Sequence, residues 1–489
     1  MTQQEAPPFP KAPFSPSPDI CAPQDRRFVL VAAVLASALG FIDTTVVAIA
    51  MPAIRGSLQA SLWQAQWVHN AYMLCLTSLI LVGGAFGDRF GIARVFGGGI
   101  ALFVAASLFC ALAPSADFMI AARAVQGIGA AVMVPGSLAM ISKAYPPQTR
   151  GHAIGLWAAA SSMTTALGPV IGGLALSLGG PEMWRWIFAI NLPLGGLALG
   201  ILWLKTHGGR PKTNTPIDLP GALLATLALG AIAWGLTSHS RMALLLGAGF
   251  MGLFVLAQYR SPHPMVPLRL FQHKVFAIVN TMTLGVWGAL GLMFFFMPMT
   301  FIAGWGYSEI EASAVFAPMS IFIAGFSTRS GRLADRIGPA PLLVAGAAIV
   351  GAGYLLMGLL APAQNLWGHI LPAMCLVGAG MALVVAPLST AVIGAVPADQ
   401  TGTASGINNA IARMAGLISV AAVGGLISAL YLSAGGPSSF GLVSDLPGHG
   451  QAMTRAFQGI AFVAAGLCAF SAVLAGLLPG ARKPLAARP

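Results

Sequence analysis

The chain has 489 residues, of which 57% are hydrophobic and only 8% are charged. A typical soluble domain carries about 25% charged residues, so these charges are too few to cover the surface of a soluble multidomain enzyme. Lys and Arg outnumber Asp and Glu by 25 to 13, and the net charge of +12 reflects scarce acids, not basic runs. A nucleic-acid-binding protein is therefore excluded as well, and a polytopic helical membrane protein remains.

In chain order, the sequence divides into five segments. Residues 1–27 are rich in proline and are predicted to be a disordered cytosolic tail. Residues 28–206 contain six apolar stretches of the roughly 20 residues that a spanning helix needs. Residues 207–274 are a linker with two further spans, and residues 275–479 contain six more. Residues 480–489 are a basic cytosolic tail, so the sequence predicts fourteen transmembrane helices.

The basic residues test this count. If the N-terminus lies in the cytosol, nineteen of the 25 Lys and Arg residues fall in inside segments and four in outside segments. The other two, Arg123 and Arg413, lie within spans. This asymmetry is that of the positive-inside rule, and it predicts that both termini are cytoplasmic. A twelve-span alternative would require the two spans between residues 219 and 259 to be fused or buried, although each is long enough alone.

An internal repeat relates the two sets of six spans. The pattern G-x-x-x-D-R-x-G occurs at residues 84–91 and again 247 residues later, at residues 331–338. Paired glycines at both ends of the fifth and thirteenth spans recur in the same way. Parallel six-helix halves that rock around a central cavity are typical of secondary transporters. The predicted fold class is therefore an all-α polytopic membrane protein made of two six-helix halves and a two-helix insert.

Five short motifs lie in the first half of the chain. They are DTTVVAIAMP at residues 43–52, GAFGDRFG at 84–91, RAVQGIGAA at 123–131, GPVIGG at 168–173 and WRWIFAINLP at 184–193. Together they resemble the major facilitator superfamily, and within it the fourteen-helix drug:proton antiporters. The resemblance implies a transporter of a bacterial inner membrane that uses the proton gradient as its energy source and needs no cofactor.

Asp43 is the only acidic side chain that we place within a span. An ionised carboxylate costs about 2.5–3.5 kcal/mol at the centre of a membrane helix, and such residues usually mark ion or substrate pathways. Arg123, at similar depth in the fourth span, is its natural partner. Burial favours a neutral acid whereas a nearby cation favours an ionised one, so the protonation state stays open. We predict that both residues couple transport to protons. The alternatives are a purely structural ion pair and, for Arg123, a snorkelling anchor.

The two copies of the repeated motif are predicted to form a conformational latch on the cytosolic side. An Asp at a helix end can accept hydrogen bonds from the N-terminal amides of a neighbouring helix, where the dipole favours an anion. The resemblance implies that this contact breaks as the halves rock, and the alternative is a simple topology signal. Family members usually have basic residues where Ile92 and Ala93 stand, which predicts a weaker latch. The predicted latch residues are Gly84, Asp88, Arg89, Gly91, Arg94, Asp335 and Arg336.

The fifth span contains the motif that the family associates with antiport. Proline bends a helix, and glycine lets a neighbouring helix approach closely. An upstream glycine of the family pattern is replaced by Thr164, so antiport is favoured but not secured. The motif residues are Gly168, Pro169, Gly172 and Gly173.

Several further residues are candidates for the central cavity. Asn70, Tyr72 and Gln126 could complete a polar network around the Asp43–Arg123 pair, and Arg413 either lines the cavity or reaches the cytosolic interface. The run at residues 293–297, with two methionines and three phenylalanines, is either a soft wall for bulky drugs or a lipid-facing surface. The lipid-facing interpretation is the more frequent meaning of such a run.

These observations predict a proton-coupled antiporter that exports small, largely apolar or monocationic drug-like compounds. The alternative is a dedicated exporter of a metabolite or a lipid with the same fold. An enzyme is not expected, because the spans contain no HExxH motif, acid pair or Ser/His arrangement. The predicted partners are the small-molecule substrate, protons and the lipid bilayer, without nucleic acid or metal, and the protein is predicted to be a monomer.

Overall fold

The computed structural model describes residues 20–206, 217–397 and 400–478. The regular elements in these ranges are helices. The seven helices of the first half are α1 (Arg26–Leu58), α2 (Leu62–Phe90), α3 (Ile92–Ala111), α4 (Ala116–Ala144), α5 (Pro147–Gly179), α6 (Trp184–Ala189) and α7 (Asn191–Lys205). The short α6 leads into α7, and together they correspond to the sixth predicted span.

The insert consists of α8 (Leu219–Thr237) and α9 (Arg241–Arg260). The second half consists of α10 (Lys274–Met299), α11 (Glu309–Ala314), α12 (Ala317–Ile337), α13 (Pro339–Leu360), α14 (Leu371–Gly394), α15 (Thr401–Ser433) and α16 (His449–Gly476). Thirteen of the helical segments in the described ranges are long and apolar enough to cross a membrane. The helix α5, with 33 residues and an apolar end at residues 167–179, corresponds to the remaining predicted span. The predicted fold class is therefore confirmed.

The internal repeat extends to the turns and caps that begin and end its helices. Ser61 and Gln64 form a capping box at the start of α2, and Ser308 and Glu311 form the same box at the start of α11, again 247 residues later. The motif glycines that end α2 and α12, Gly91 and Gly338, have φ angles of 97° and 85°. A residue with a side chain would be strained at such angles, so glycine is required at both turns into the next helix.

The insert packs across the junction of the two halves. Its helix α8 contacts α2 of the first half and α15 of the second. Trp63, Trp67 and Trp234 form an aromatic cluster at the contact with α2, and Trp67 donates a hydrogen bond of 3.1 Å to Thr237. The helix α9 packs on α8 and is otherwise mostly exposed. The insert therefore contacts both halves on one side of the junction.

The proline-rich N-terminal segment is ordered further toward the N-terminus than predicted. Residues 20–27 belong to the described structure, and Ile20 and Cys21 are buried in the core of the first half. Asp25 forms an ion pair of 3.1 Å with Lys205 at the end of α7. Two apolar side chains and a paired acid give this segment enough contacts to order it, whereas residues 1–19 and the predicted basic tail lie outside the described residues.

Hydrogen bonds between the halves cluster on one side of the bundle, which we call the Arg55 face. Arg55 is one of the four basic residues that the positive-inside count assigns to outside segments, but α1 extends past it, and its side chain is fully buried. Its guanidinium donates to the carbonyl oxygens of Ala60 and Phe440 and to Ser439, so it joins α1 to the loop between α15 and α16. Gln66 donates a hydrogen bond of 2.5 Å to the carbonyl of Val420. These contacts close the bundle at the Arg55 face.

Candidate functional site

A cavity of about 1390 Å³ lies between the two halves. It extends from His69 and Tyr72 in the interior to Asp88 and Gly402 on the side opposite Arg55, which we call the Asp88 face. Ligand sites for drug-sized molecules typically have about 300–1,000 Å³, so the space accommodates such a molecule. The cavity is open at the Asp88 face and closed at the Arg55 face.

The methionine and phenylalanine run of residues 293–297 forms part of this interior. Met293, Phe295, Phe296 and Met297 are at most 1% exposed, and Phe294 and Phe295 line the cavity. The lipid-facing interpretation is therefore wrong. The reason is the position of α10, which packs against α15 and α16 within its own half and against α1 of the other half. Both sides of the run are consequently covered by protein.

Asp43 and Arg123 form a buried ion pair between α1 and α4. Arg123 Nη1 lies 2.6 Å from Asp43 Oδ2, and the two residues are 1% and 2% exposed. Arg123 Nε also donates to the carbonyl of Val68 at 3.1 Å. Removing one partner of a buried ion pair typically lowers the stability of the folded protein by about 3–5 kcal/mol. Each of these two charges is therefore stabilised in the bundle by the other.

The second oxygen of Asp43 belongs to an amide network. Gln126 donates from Nε2 to Asp43 Oδ1 and to Ser107 Oγ, both at 2.9 Å, and Asn191 donates to the same hydroxyl at 3.1 Å. Of these three residues, the sequence predicted Gln126 but not Ser107 or Asn191. Asn191 lies inside the WRWIFAINLP motif, so the motif could have identified it as a candidate site residue. Ser107 is surrounded by apolar residues, and no sequence pattern singles it out. The carboxylate is thus satisfied by one charged and one neutral partner.

Tyr72 separates the ion pair from the cavity. Its ring lies 4.2 Å from the Arg123 guanidinium carbon, and the residue lines the cavity, whereas Asp43 and Arg123 do not. Such stacking of a cation on an aromatic face is attractive. Arg123 therefore contacts both Asp43 and a residue of the cavity wall.

The other predicted cavity residues lie on both sides of this wall. Arg413, on α15, lines the cavity, which was the first of the two positions considered for it. Gln126 lies behind the wall because it bonds to Asp43. Asn70 is fully buried away from the cavity, and neither atom of its side-chain amide has a hydrogen-bond partner among the described residues. The polar network predicted around the ion pair therefore includes Gln126 and Tyr72 but not Asn70.

The predicted latch residues lie at the Asp88 face. Asp88 Oδ1 lies 3.5 Å from Lys143 Nζ at the end of α4, with both side chains about half exposed. This partner belongs to the same half as Asp88. Ile92 and Ala93 are buried because they pack at the start of α3, which explains why apolar residues stand there. The other charged residues of the predicted latch are exposed at helix ends: Arg89, Arg94, Asp335 and Arg336.

Because the Asp88–Lys143 pair is exposed, we expect it to contribute little to stability in this conformation. Exposed ion pairs contribute about 0–1 kcal/mol. The Asp88→Asn variant should therefore unfold in detergent within about 2 °C of the original protein, whereas Asp43→Asn should unfold at a clearly lower temperature. Thermal unfolding followed by intrinsic fluorescence measures both. A large loss of stability in Asp88→Asn would show that the contact is more than a surface pair.

The glycines of the fifth-span motif lie where α5 crosses two other helices. A side chain at Gly172 would overlap Val46 of α1, in the same half. A side chain at Gly173 would overlap Ser313 of α11, in the other half, and would place its Cβ 2.6 Å from the carbonyl oxygen of Glu309. Gly168 faces Thr45 in a similar way, and Pro169 lies inside the helix beside it. The motif therefore lets α5 pack closely against both halves at the Arg55 face.

A hydrogen-bonded loop joins helices of the first half at the same face. Ser57 donates to Glu182 Oε1 at 2.7 Å, and Arg185 Nε donates to Glu182 Oε2 at 3.1 Å. These bonds, with that from Ser57 as the larger cause, lower the pKa of the Glu182 carboxyl. The acid is therefore ionised at neutral pH and holds the end of α1 beside the start of α6.

Comparisons with known proteins agree with this architecture. The family model of the Major Facilitator Superfamily matches residues 33–420. The multidrug resistance protein Stp of Mycobacterium tuberculosis (strain CDC 1551 / Oshkosh) is 32% identical over 423 residues, which cover 84% of this chain and 77% of that protein. The puromycin resistance protein pur8 of Streptomyces alboniger is 32% identical over 481 residues, which cover 94% of this chain and 93% of that protein.

Among solved structures, similarity extends to a bacterial homologue of the human lysosomal transporter Spinster in an inward-facing and occupied conformation. It matches with a TM-score of 0.67 at 19% identity and covers 92% of this chain and 96% of that chain. At this identity the likeness shows the fold alone. On the family model and the resistance-protein relatives, the chain belongs to the major facilitator superfamily and is a multi-pass membrane transporter, not an enzyme.

Proposed function

We propose that the protein is a proton-coupled antiporter that exports small, largely apolar drug-like compounds across the plasma membrane of a bacterium. The observation that carries this proposal is the buried Asp43–Arg123 pair, which lies directly behind the cavity wall at Tyr72. An acid in a membrane span is retained at considerable cost and usually marks an ion pathway. The relatives named for multidrug and puromycin resistance support the export of drug-like compounds.

The orientation of the cavity follows from the distribution of basic residues. Arg89, Arg94, Lys143, Arg332 and Arg336 lie at the Asp88 face. By the positive-inside rule this face is cytosolic. In the proposed cycle this conformation is the inward-facing state, ready to receive a substrate from the cytosol. The energy source is the proton gradient, and the protein needs no cofactor.

Protonation of Asp43 provides the coupling step. A proton that enters from the outside neutralises the carboxylate and removes its attraction for Arg123, which retains its hydrogen bonds to Gln126 and the Val68 carbonyl. The freed cation remains against the ring of Tyr72 and changes the potential at the cavity wall. Each proton that moves inward contributes about 2.3 kcal/mol per 100 mV. Release of this proton to the cytosol restores the ion pair and resets the transporter.

The compounds in the names of the relatives provide the first screen. We expect expression of the protein in a strain without its own efflux pumps to raise resistance to at least one compound in a panel that includes puromycin, lincomycin and methylenomycin A. The compound with the largest effect is then followed in proteoliposomes. With the membrane potential clamped at zero, a gradient of one pH unit supports about tenfold accumulation for each proton exchanged.

Two outcomes would contradict the proposal. Accumulation that persists after a protonophore collapses the pH gradient would show that another energy source drives transport. Protection against none of the panel, together with transport of an endogenous metabolite or lipid, would favour the dedicated exporter instead. Protein-free liposomes measure passive leakage and are subtracted.

A further inference from the structure

We infer that Arg413 is a substrate-binding residue and that the cavity takes apolar, aromatic compounds that carry one carboxylate. This inference rests on the proposed transport function and names the chemistry of its substrate. It departs from the monocationic compounds that the sequence alone suggested.

Arg413 is a cation without a counter-ion in the described structure. Its side chain lines the cavity from α15 and makes no hydrogen bond or ion pair with any described residue, and its Nε is buried without a hydrogen-bond partner. The residue is half-buried, and a buried donor such as this Nε is costly without a hydrogen-bond partner. Arg presents a planar set of donors that matches a carboxylate in a bidentate manner. A carboxylate in the cavity would supply an acceptor that the described residues do not.

The other ionisable groups along the described part of the cavity do not satisfy this cation. Asp88 and Asp218 line the cavity at its mouth, where Asp88 pairs with Lys143 and Asp218 accepts from Gln258 and the start of α8. Asp43 is held by Arg123 behind the wall. Tyr72 lines the cavity as well, but a phenol is neutral at pH 7. The interior of the cavity therefore carries an unmatched positive charge.

The remaining lining defines the rest of the ligand. Trp157 on α5 and Trp287, Phe294 and Phe295 on α10 present aromatic surface to the cavity, and α10 packs against α15, the helix that carries Arg413. Aromatic walls bind aromatic ligands through large contact areas and preferred ring geometries. A flat apolar body with a single carboxylate satisfies both the walls and the guanidinium. A monocation of the same shape would be repelled by Arg413 and would find no carboxylate among the described residues that line the interior of the cavity.

Direct binding tests this inference without any gradient. The purified full-length protein in detergent at pH 7 is titrated with 1-naphthaleneacetate, its neutral amide 1-naphthaleneacetamide and the cation 2-(1-naphthyl)ethylammonium, and binding is followed by calorimetry. We expect the acetate to bind most tightly. The Arg413→Gln variant should weaken acetate binding by about 10- to 100-fold, the range for lost hydrogen bonds to a charged group. Binding of the amide should change by less than about threefold.

Two controls separate a binding role from a structural one. Arg413→Lys keeps the charge without the planar fork and should retain part of the preference for the acetate. Arg329→Gln removes an exposed basic residue elsewhere and should leave all three affinities unchanged. Equal weakening of the acetate and the amide in Arg413→Gln, or tightest binding of the ammonium by the original protein, would overturn the inference. Because no proton gradient is involved, failure of proton coupling would leave this binding preference intact.

Discussion

Replacement of Asp43 by Asn is expected to abolish proton-driven accumulation while substrate exchange between the two sides of the membrane continues. Asn is nearly isosteric with Asp, but it has a single acceptor oxygen, so it can replace the acceptor for Arg123 or the one for Gln126 but not both, and it cannot take up or release a proton. In proteoliposomes under a gradient of one pH unit, the original protein should concentrate its substrate about tenfold per proton exchanged. The variant should reach a concentration ratio of about 1, since no proton moves with the substrate.

The exchange measurement makes this result interpretable. If vesicles preloaded with unlabelled substrate still take up labelled substrate, the variant binds and alternates, and the missing function is coupling itself. Asp117→Asn is a matched control, because Asp117 is an exposed acid on α4, the same helix that carries Arg123. Gradient-driven accumulation by Asp43→Asn at the level of the original protein would show that Asp43 is not the proton carrier.

Loss of the Asp43 charge also leaves Arg123 as an uncompensated cation. Breaking a buried pair by removing one partner costs about 3–5 kcal/mol, so the Asp43→Asn variant could fail through instability alone. The double variant Asp43→Asn with Arg123→Gln removes both charges and should recover part of the lost thermal stability. It should not recover proton-driven accumulation. Recovery of accumulation in the double variant would assign the coupling to another group.

The second large effect is expected from Gly173→Val at the junction of the two halves. The added side chain would overlap Ser313 and approach the backbone of Glu309 in α11. Backbone cannot move aside as a flexible side chain can, so the Arg55 face cannot close around this substitution. We expect the conformational equilibrium to shift away from the state described here, and transport to fall by more than about tenfold, because alternation requires both states.

Spin labels on the Asp88 face measure this shift. Labels placed at Arg94 and Arg329, both exposed and in different halves, should report a shorter distance in Gly173→Val than in the unsubstituted protein. Gly155→Val is the matched control on the same helix, because a side chain at Gly155 meets nothing within 4 Å. An unchanged distance in Gly173→Val with normal transport would show that the close contact of α5 and α11 does not hold the Arg55 face closed.

Much of the architecture could be predicted from the sequence because the membrane restricts the choices. A chain that must satisfy its backbone in lipid forms helices, so long apolar stretches identify the spans and the repeat identifies the halves. The partnership of Asp43 and Arg123 followed from the scarcity of charge, since few other groups within the spans could pair with either. The capping boxes at Ser61 and Ser308 show that the same repeat also controls local geometry.

Other features depended on which side of a helix faces its neighbours. The run at residues 293–297 is equally apolar whether it faces lipid or protein, and only the packing of α10 between α15, α16 and α1 decided that it is interior. Arg55 looked like a residue of an outside loop, yet the extended α1 and the loop at Phe440 enclose it. Ser107 is unremarkable in sequence and becomes part of the network only because Gln126 and Asn191 meet there.

The sequence by itself determined that this protein is a two-halved helical transporter with one acid and few cations inside the membrane. Only the tertiary structure decided that Asp43 is enclosed by Arg123 and Gln126 and that Tyr72 separates this pair from the cavity. It also decided that Arg413 faces the cavity with no hydrogen-bond or ion-pair partner among the described residues. The physical reason is that the cost of placing a polar or charged group in lipid can be read from the sequence of a single helix. The partner that relieves this cost lies on another helix, and only the packing of the bundle brings the two together.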